Sequence, residues 1–339
     1  MSKKKRFFWS VITLIIGVLV FAYNFKGLNF KQITNQIIKT NYWWLILAFF
    51  LMLIYFALIA KTIIILSDSK NNLTLKDTYR IPLLEQFGNG VTPMSFGGQP
   101  MQLLGLTQSG VSLGEATSIS IMRFVIYQGM IMLTFFISLI IGFTYVAQHL
   151  QRMMILVIFG IVIHFSVLIF LIFVMFSPKI THVMAVIFTY PIGWFTSNDK
   201  FDNLRSKLFE KIDDFHNASN QILKDKKKLI QSSLLTLIQL FIFYSIPFFV
   251  LKAFHIDDAN FWFVMILNVI LTMAVSIFPI PGGSGGAEYG FQLLFAGFIV
   301  QKPTLVLAML VWRLLTYYLG LFGGILAYNL VPNKKHERK

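Results

Sequence analysis

Seven stretches of this chain are apolar over a length that could cross a membrane, and they restrict the fold more than any other feature. A helix needs about 20 apolar residues to cross the hydrocarbon core of a bilayer. The stretches occupy residues 7–23, 42–66, 121–147, 153–176, 229–251, 261–280 and 303–330. Only 13% of the residues are charged and the mean hydropathy is +0.71. The sequence therefore predicts an all-α, polytopic membrane protein.

The basic residues predict the orientation of these helices. A basic run, MSKKKR, precedes the first stretch as in a signal peptide, but no small-residue cleavage site follows, so we expect an uncleaved span. Because both terminal tails are rich in Lys and Arg, the positive-inside rule predicts that both termini are cytoplasmic. This orientation requires an even number of crossings. We predict an eighth span at 285–300, which gives about eight transmembrane helices.

The charge balance excludes other classes of protein. The formal net charge is +15 and the chain has no cysteine. In a soluble protein such a charge would suggest nucleic-acid binding, but here the bases lie in tails and loops, where they contact an anionic membrane surface. We therefore predict no nucleic-acid partner. The lack of cysteine excludes disulfides and thiolate metal sites.

One polar segment divides the chain. We predict a first membrane half over 1–195, a charged amphipathic linker in the cytoplasm over 196–228, a second membrane half over 229–331 and a basic cytoplasmic tail over 332–339. The linker mixes eight bases and six acids with apolar residues at helical spacing, as a solvated helix does. A regulatory or docking role for the linker is the alternative.

Two glycine-rich segments interrupt the apolar pattern, one in each half, at about 82–106 and 279–300. The first contains GNGVTPMSFGGQPMQLL and the second PIPGGSGGAEYGFQLL, so each has a proline, a Gly-Gly pair and a later Gln-Leu-Leu. Such paired interruptions indicate an inverted-repeat transporter, in which broken or re-entrant segments meet and form the binding site. Glycines that only pack helices are the alternative. The glycines predicted to shape the segments and bind a lipid phosphate are Gly97, Gly98, Gly282, Gly283, Gly285 and Gly286.

Each broken segment has an acidic and a basic residue nearby: Glu85 and Arg123 in the first half, and Glu288 and Arg313 in the second. A charge at the bilayer midplane costs at least about 2.5 kcal/mol, so these groups must pair or face water. We predict that the arginines bind a lipid phosphate, while the glutamates meet a headgroup amine or carry a proton. Two salt bridges that only join helices are the alternative.

These motifs resemble the lysylphosphatidylglycerol synthase transmembrane region, the flippase-like membrane domain of multiple peptide resistance factor. PIPGGSGGAE matches its Pro-Gly-Gly-x-Gly-x-x-Glu signature, and GNGVTPMSFGGQPMQL with Arg123 is similar to its first conserved region. The resemblance implies a multi-pass protein of the bacterial plasma membrane that moves lysyl-phosphatidylglycerol or a related phospholipid between leaflets and so confers resistance to cationic peptides. Many members have an arginine before the signature glutamate, where this chain has Ala287.

The same resemblance leaves two other functions open. In full-length members an attached domain makes the lipid from lysyl-tRNA, but only nine residues follow Leu330, so we expect no synthase domain in this polypeptide. A lipid-modifying enzyme partner and a homodimer fit the family. A membrane enzyme acting on a lipid-linked sugar is the main alternative, and a scaffold the weakest. Because the histidines are scattered and no P-loop is present, we predict no metal and no cofactor.

Overall fold

The computed structural model describes residues 30–68, 71, 73–149, 151–193, 198–276, 278 and 280–329, and within these ranges it contains helices and no strand. The all-α fold class is therefore confirmed. The helices are α1 Phe30–Lys39, α2 Tyr42–Leu66, α3 Leu75–Val91, α4 Gly98–Gln108, α5 Leu113–His149, α6 Gln151–Phe176, α7 Pro178–Gly193, α8 Asn198–Lys224, α9 Lys226–Ala253, α10 Phe261–Val275, α11 Gly286–Phe295 and α12 Lys302–Asn329.

Five of the described helices are long and apolar enough to cross a membrane: α2, α5, α6, α9 and α12. By contrast, α10 has 15 residues and α11 has 10. At 1.5 Å per residue, a helix as short as α11 covers about half of the hydrocarbon core. The structure therefore does not confirm eight spans, because the eighth was predicted where only α11 forms. The predicted first span, 7–23, lies outside the described residues.

Helices α3 and α4 form a tight antiparallel hairpin. Near its open end, a Cβ atom added to Gly105 of α4 would lie 3.1 Å from the Leu84 side chain and 3.2 Å from that of Ile81. Near its closed end, a Cβ atom on Gly88 would overlap the carbonyl oxygen of Gly97. Glycine at position 88 therefore lets two backbones touch where α3 turns into α4.

Helices α10 and α11 form a second antiparallel hairpin. The rings of Phe263 and Phe298 lie 5.8 Å apart at its open end. At its closed end, Cβ atoms on Gly283 and Gly286 would overlap the side chains of Val275 and Phe278. Both broken segments predicted from the sequence are thus helical hairpins that turn back on themselves.

The two hairpins enter the bundle from opposite ends. At one end the Asn41 amide donates to the carbonyl of Ala253 at 2.9 Å, and the second hairpin opens there. At the other end Lys228 Nζ donates to the carbonyl of Ser67 at 3.0 Å, and Arg80 Nε of the first hairpin donates to the carbonyl of Ala327 at 2.7 Å. The closed ends of the hairpins contact each other inside the bundle. This arrangement places two broken backbones side by side.

The charged linker lies at the end of the bundle where the first hairpin opens. Helix α8 packs against α5 and α7 and turns Ile212, Phe215 and Ile222 inward. Gly114, at the start of α5, lies directly against Asp214 of α8. The amphipathic pattern of the linker thus anchors α8 to the membrane helices.

Candidate functional site at the junction of two broken helices

The two turns have the same backbone conformation. In each, an extended residue precedes a proline, and two residues with positive φ follow it. The φ angles are 50° at Met94, 60° at Ser95, 62° at Gly282 and 63° at Gly283. The hydrogen bonds also match: Ser95 N donates to Thr92 O and Phe96 N to Pro93 O, as Gly283 N does to Ile280 O and Ser284 N to Pro281 O. Residues 92–96 therefore correspond in conformation to residues 280–284.

This correspondence changes how the two motifs align. The sequence comparison set the pair Gly97 and Gly98 beside Gly282 and Gly283. In the structure, Met94 and Ser95 occupy the positive-φ positions of the first turn. Gly97 and Gly98 instead begin α4, as Gly285 and Gly286 begin α11. The first turn therefore places two residues with side chains in a conformation that favours glycine.

The charged pair of the second half is buried, and each of its buried polar atoms has a hydrogen-bond partner. Glu288 Oε1 accepts from Arg313 Nε at 2.9 Å, and Glu288 Oε2 accepts from the amide of Gly285 at 2.6 Å. Arg313 Nη2 also donates to the carbonyl of Gly282 at 3.0 Å and lies 3.4 Å from Ser284 Oγ. Both charged residues are only 5% exposed. This pair fixes the second turn to the start of α11 and to α12.

The charged pair of the first half is equally buried but incompletely bonded. Arg123 Nη2 of α5 donates to Glu85 Oε1 of α3 and, at 2.9 Å, to Gln102 Oε1 of α4. Arg123 is 4% exposed, Glu85 9% and Gln102 0%. Three buried atoms of this group lack a partner among the described residues: Glu85 Oε2, Gln102 Nε2 and Arg123 Nε. Buried polar atoms are rarely left unsatisfied, so each of these three is a candidate contact for a ligand.

Tyr317 connects the two hairpins. Its hydroxyl donates to the carbonyl of Gly90 in the first hairpin at 3.1 Å. Gly282 of the second turn lies so close to its ring that a Cβ atom would overlap it, and the Arg313 guanidinium lies 4.3 Å above the ring centroid. Tyr317 lies in a one-turn π-helix, Leu314–Tyr318, within α12. Such π-turns often occur at functional sites.

The predicted site residues thus form two groups, one at the first hairpin and one at the second turn. Glu85 and Arg123 form one group, and Glu288, Arg313 and Gly282 form the other. The sequence prediction omitted Gln102, Ser284 and Tyr317, which complete the contacts. Tyr317 follows Arg313 by four residues and so shares its helix face, a signal that the sequence contained. Gln102 was recognised only as part of the repeated Gln-Leu-Leu.

Comparison with known proteins gives a consistent family match. The family described as "Lysylphosphatidylglycerol synthase TM region" matches residues 10–324. A protein called "UPF0104 membrane protein" from Archaeoglobus fulgidus is 25% identical over 347 residues, covering 96% of this chain and 98% of its own. "Inner membrane protein YbhN" from Escherichia coli is 31% identical over 78 residues, covering 23% of this chain and 24% of its own. No solved structure matches the chain significantly.

Proposed function

Since the chain belongs to the lysylphosphatidylglycerol synthase TM region family and is a multi-pass membrane protein, we propose that it binds a phospholipid headgroup at the junction of its two broken hairpins and moves the lipid between leaflets. The contact between the two turns is the observation that carries this proposal. Non-helical backbone at membrane depth is tolerated only where protein buries it or a polar cavity meets it. The two turns are in contact, one buried arginine binds the second turn and another binds side chains of the first hairpin, and this arrangement suits a polar group crossing an apolar bilayer.

The chemistry of the junction favours an anionic headgroup. Arg123 and Arg313 provide two buried positive charges, and arginine binds phosphate through planar, directional hydrogen bonds. The residues around the first turn, Pro93 to Phe96, are exposed, so a ligand can reach this side of the junction. The family description suggests lysyl-phosphatidylglycerol, or its precursor phosphatidylglycerol, as the lipid to test first.

The opposed hairpins also support an orientation in the membrane. If 7–23 crosses the membrane, the five described spans bring the crossings to six, and the two hairpins are re-entrant from opposite faces. An even number keeps both termini on one side, and the basic tails place that side in the cytoplasm. Helix α8 then lies on the cytoplasmic face of a prokaryotic plasma membrane.

Leaflet exchange in liposomes tests the proposed function. The purified protein is reconstituted with labelled phosphatidylglycerol or lysyl-phosphatidylglycerol, and movement of the label is compared for the wild type, Arg123→Gln and Glu115→Gln. Glu115 lies at the start of α5, outside the junction, where it accepts from the Asp68 amide at 3.0 Å. We expect fast exchange of at least one lipid in the wild type and in Glu115→Gln, and loss of exchange in folded Arg123→Gln. Exchange of both lipids at the protein-free rate would refute the proposal.

A further inference from the structure

The two buried glutamates of the junction differ in their free hydrogen-bonding capacity. Both carboxylate oxygens of Glu288 accept hydrogen bonds, one from Arg313 Nε and one from the amide of Gly285. Both partners donate to an oxygen of the carboxylate, so protonation of Glu288 would weaken two existing charge-assisted bonds. Glu85 uses only Oε1, toward Arg123, and its buried Oε2 has no partner among the described residues. A proton can bond to Oε2 without breaking the contact to Arg123.

The surroundings of Glu85 also provide a place for an anion. Arg123 Nε and Gln102 Nε2 are buried donors without partners in the described part of the chain. The other titratable groups that face the pair are Tyr55 from α2 and Tyr127 from α5, and both are neutral in their protonated form. The tyrosines of α12, Tyr317 and Tyr318, interact with Arg313 and Glu288 instead. Arg123 is therefore the one positive charge that faces Glu85 from these elements.

We infer that Glu85 Oε2 is a proton-binding site and that an anionic lipid phosphate binds to Arg123 and Gln102 together with that proton. The second part of this inference rests on the proposed function. The ion pair of Glu85 and Arg123 has no net charge, and a phosphodiester added to it would leave one uncompensated negative charge in the protein interior. An uncompensated buried charge is strongly unfavourable. A proton taken from water by Glu85 restores neutrality, so the anion and the proton each bind more tightly when the other is present.

Infrared spectroscopy tests the proton site without any transported lipid. The protein in phosphatidylcholine nanodiscs is titrated while the carbonyl band of buried carboxylic acid is recorded. We expect a band in the wild type that disappears at high pH. The band should be absent from Glu85→Gln and shifted in Glu85→Asp. It should persist in Glu288→Gln and Glu115→Gln. Glu115→Gln serves as the control if Glu288→Gln does not fold. A band that is unchanged in Glu85→Gln, or no such band at any pH in the folded wild type, would overturn the inference.

Binding of short-chain phosphatidylglycerol tests the coupling. With a pH-sensitive dye in weak buffer, the wild type should take up a proton on binding, and its affinity should fall by about tenfold per pH unit once Glu85 is ionised. Glu85→Gln should bind with no proton uptake and with affinity independent of pH. Equal proton uptake by both proteins would overturn the coupling. If the wild type binds neither this lipid nor its lysyl form, the proposed function fails while the infrared result still decides the proton site.

Discussion

The first and second hairpins reach one backbone conformation with different residues. The second turn places Gly282 and Gly283 at its two positive-φ positions, and no buried atom of its ion pair lacks a partner among the described residues. The first turn uses Met94 and Ser95 at those positions, and in the described part of the chain two buried atoms of its ion pair, together with Gln102 Nε2, have no partner. The second hairpin therefore has an unstrained turn and a satisfied ion pair, as expected for a structural element. The first hairpin holds both the backbone strain and the unused hydrogen-bonding groups, which are typical of functional sites.

The two ion pairs should differ most in the stability that is lost when the arginine of each pair is replaced. Arg313→Gln leaves Glu288 charged and buried, and it also removes the bonds to Gly282 and Ser284. We expect the free energy of unfolding in detergent to fall by about 3–5 kcal/mol. Arg123→Gln also leaves a buried glutamate without its arginine, but the one further bond that it removes is that to Gln102, so its loss should be smaller. An equal or larger loss for Arg123→Gln would contradict the view that the second pair is the structural one.

Alanine in place of a glycine should destabilise the two hairpins for different reasons. A Cβ atom in Gly88→Ala would overlap the backbone of Gly97, which cannot rotate away, and we expect a loss of about 3 kcal/mol in unfolding free energy. Gly285 has open space around its Cβ position but a φ of +85°, so Gly285→Ala should cost only the conformational strain, about 1–2 kcal/mol.

Gly129→Ala is the matched control for both glycine variants, since nothing lies within 4 Å of its Cβ position in α5. Alanine is the better helix former, so the control should unfold no more easily than the wild type. Denaturant titration of the three variants gives the comparison. If Gly88→Ala were as stable as Gly129→Ala, the backbones of the first hairpin would not be in contact.

Removal of the Tyr317 hydroxyl, which connects the two hairpins, should have an intermediate effect on stability. Tyr317→Phe keeps the ring beside Gly282 and Arg313 but removes the hydroxyl that donates to Gly90. An unsatisfied carbonyl at this position should cost about 1–2 kcal/mol. Double-variant cycles with Arg123→Gln and with Arg313→Gln measure to which half the hydroxyl is coupled. Strict additivity in both cycles would show that Tyr317 does not connect the two pairs.

The sequence predicted those features that depend on a sum over neighbouring residues or on the chemistry of a single residue. Hydropathy located the five described spans because each depends on a sum over about 20 residues. The high cost of a buried charge predicted that Glu85, Arg123, Glu288 and Arg313 must pair or face water, and in the structure they form two pairs. For 285–300 the sequence predicted both an eighth span and a broken or re-entrant segment, because the apolar run looks the same whether it spans or turns back; α11 ends after 10 residues. The contact from Tyr317 to Gly90 joins residues 227 positions apart and has no local signal.

The smallest predicted effect concerns the strain in the first turn, and it is a gain in stability. Met94 has a φ of 50°, where a side chain costs about 1 kcal/mol relative to glycine. Met94→Gly makes this position of the first turn like Gly282 of the second, so we expect the unfolding free energy to rise by about 0.5–1 kcal/mol. Because Met94 is 38% exposed, little packing is lost when its side chain is removed.

Met94→Ala separates backbone strain from the loss of the side chain. Alanine keeps the Cβ atom and therefore the strain, so Met94→Ala should show no gain in unfolding free energy over the wild type. If the strain serves function, Met94→Gly should exchange lipid more slowly than Met94→Ala although it is more stable. An unstrained turn releases less free energy when it rearranges around a headgroup. A stabilised Met94→Gly that exchanges lipid at the rate of Met94→Ala would show that the conformation of the first turn contributes to the fold alone.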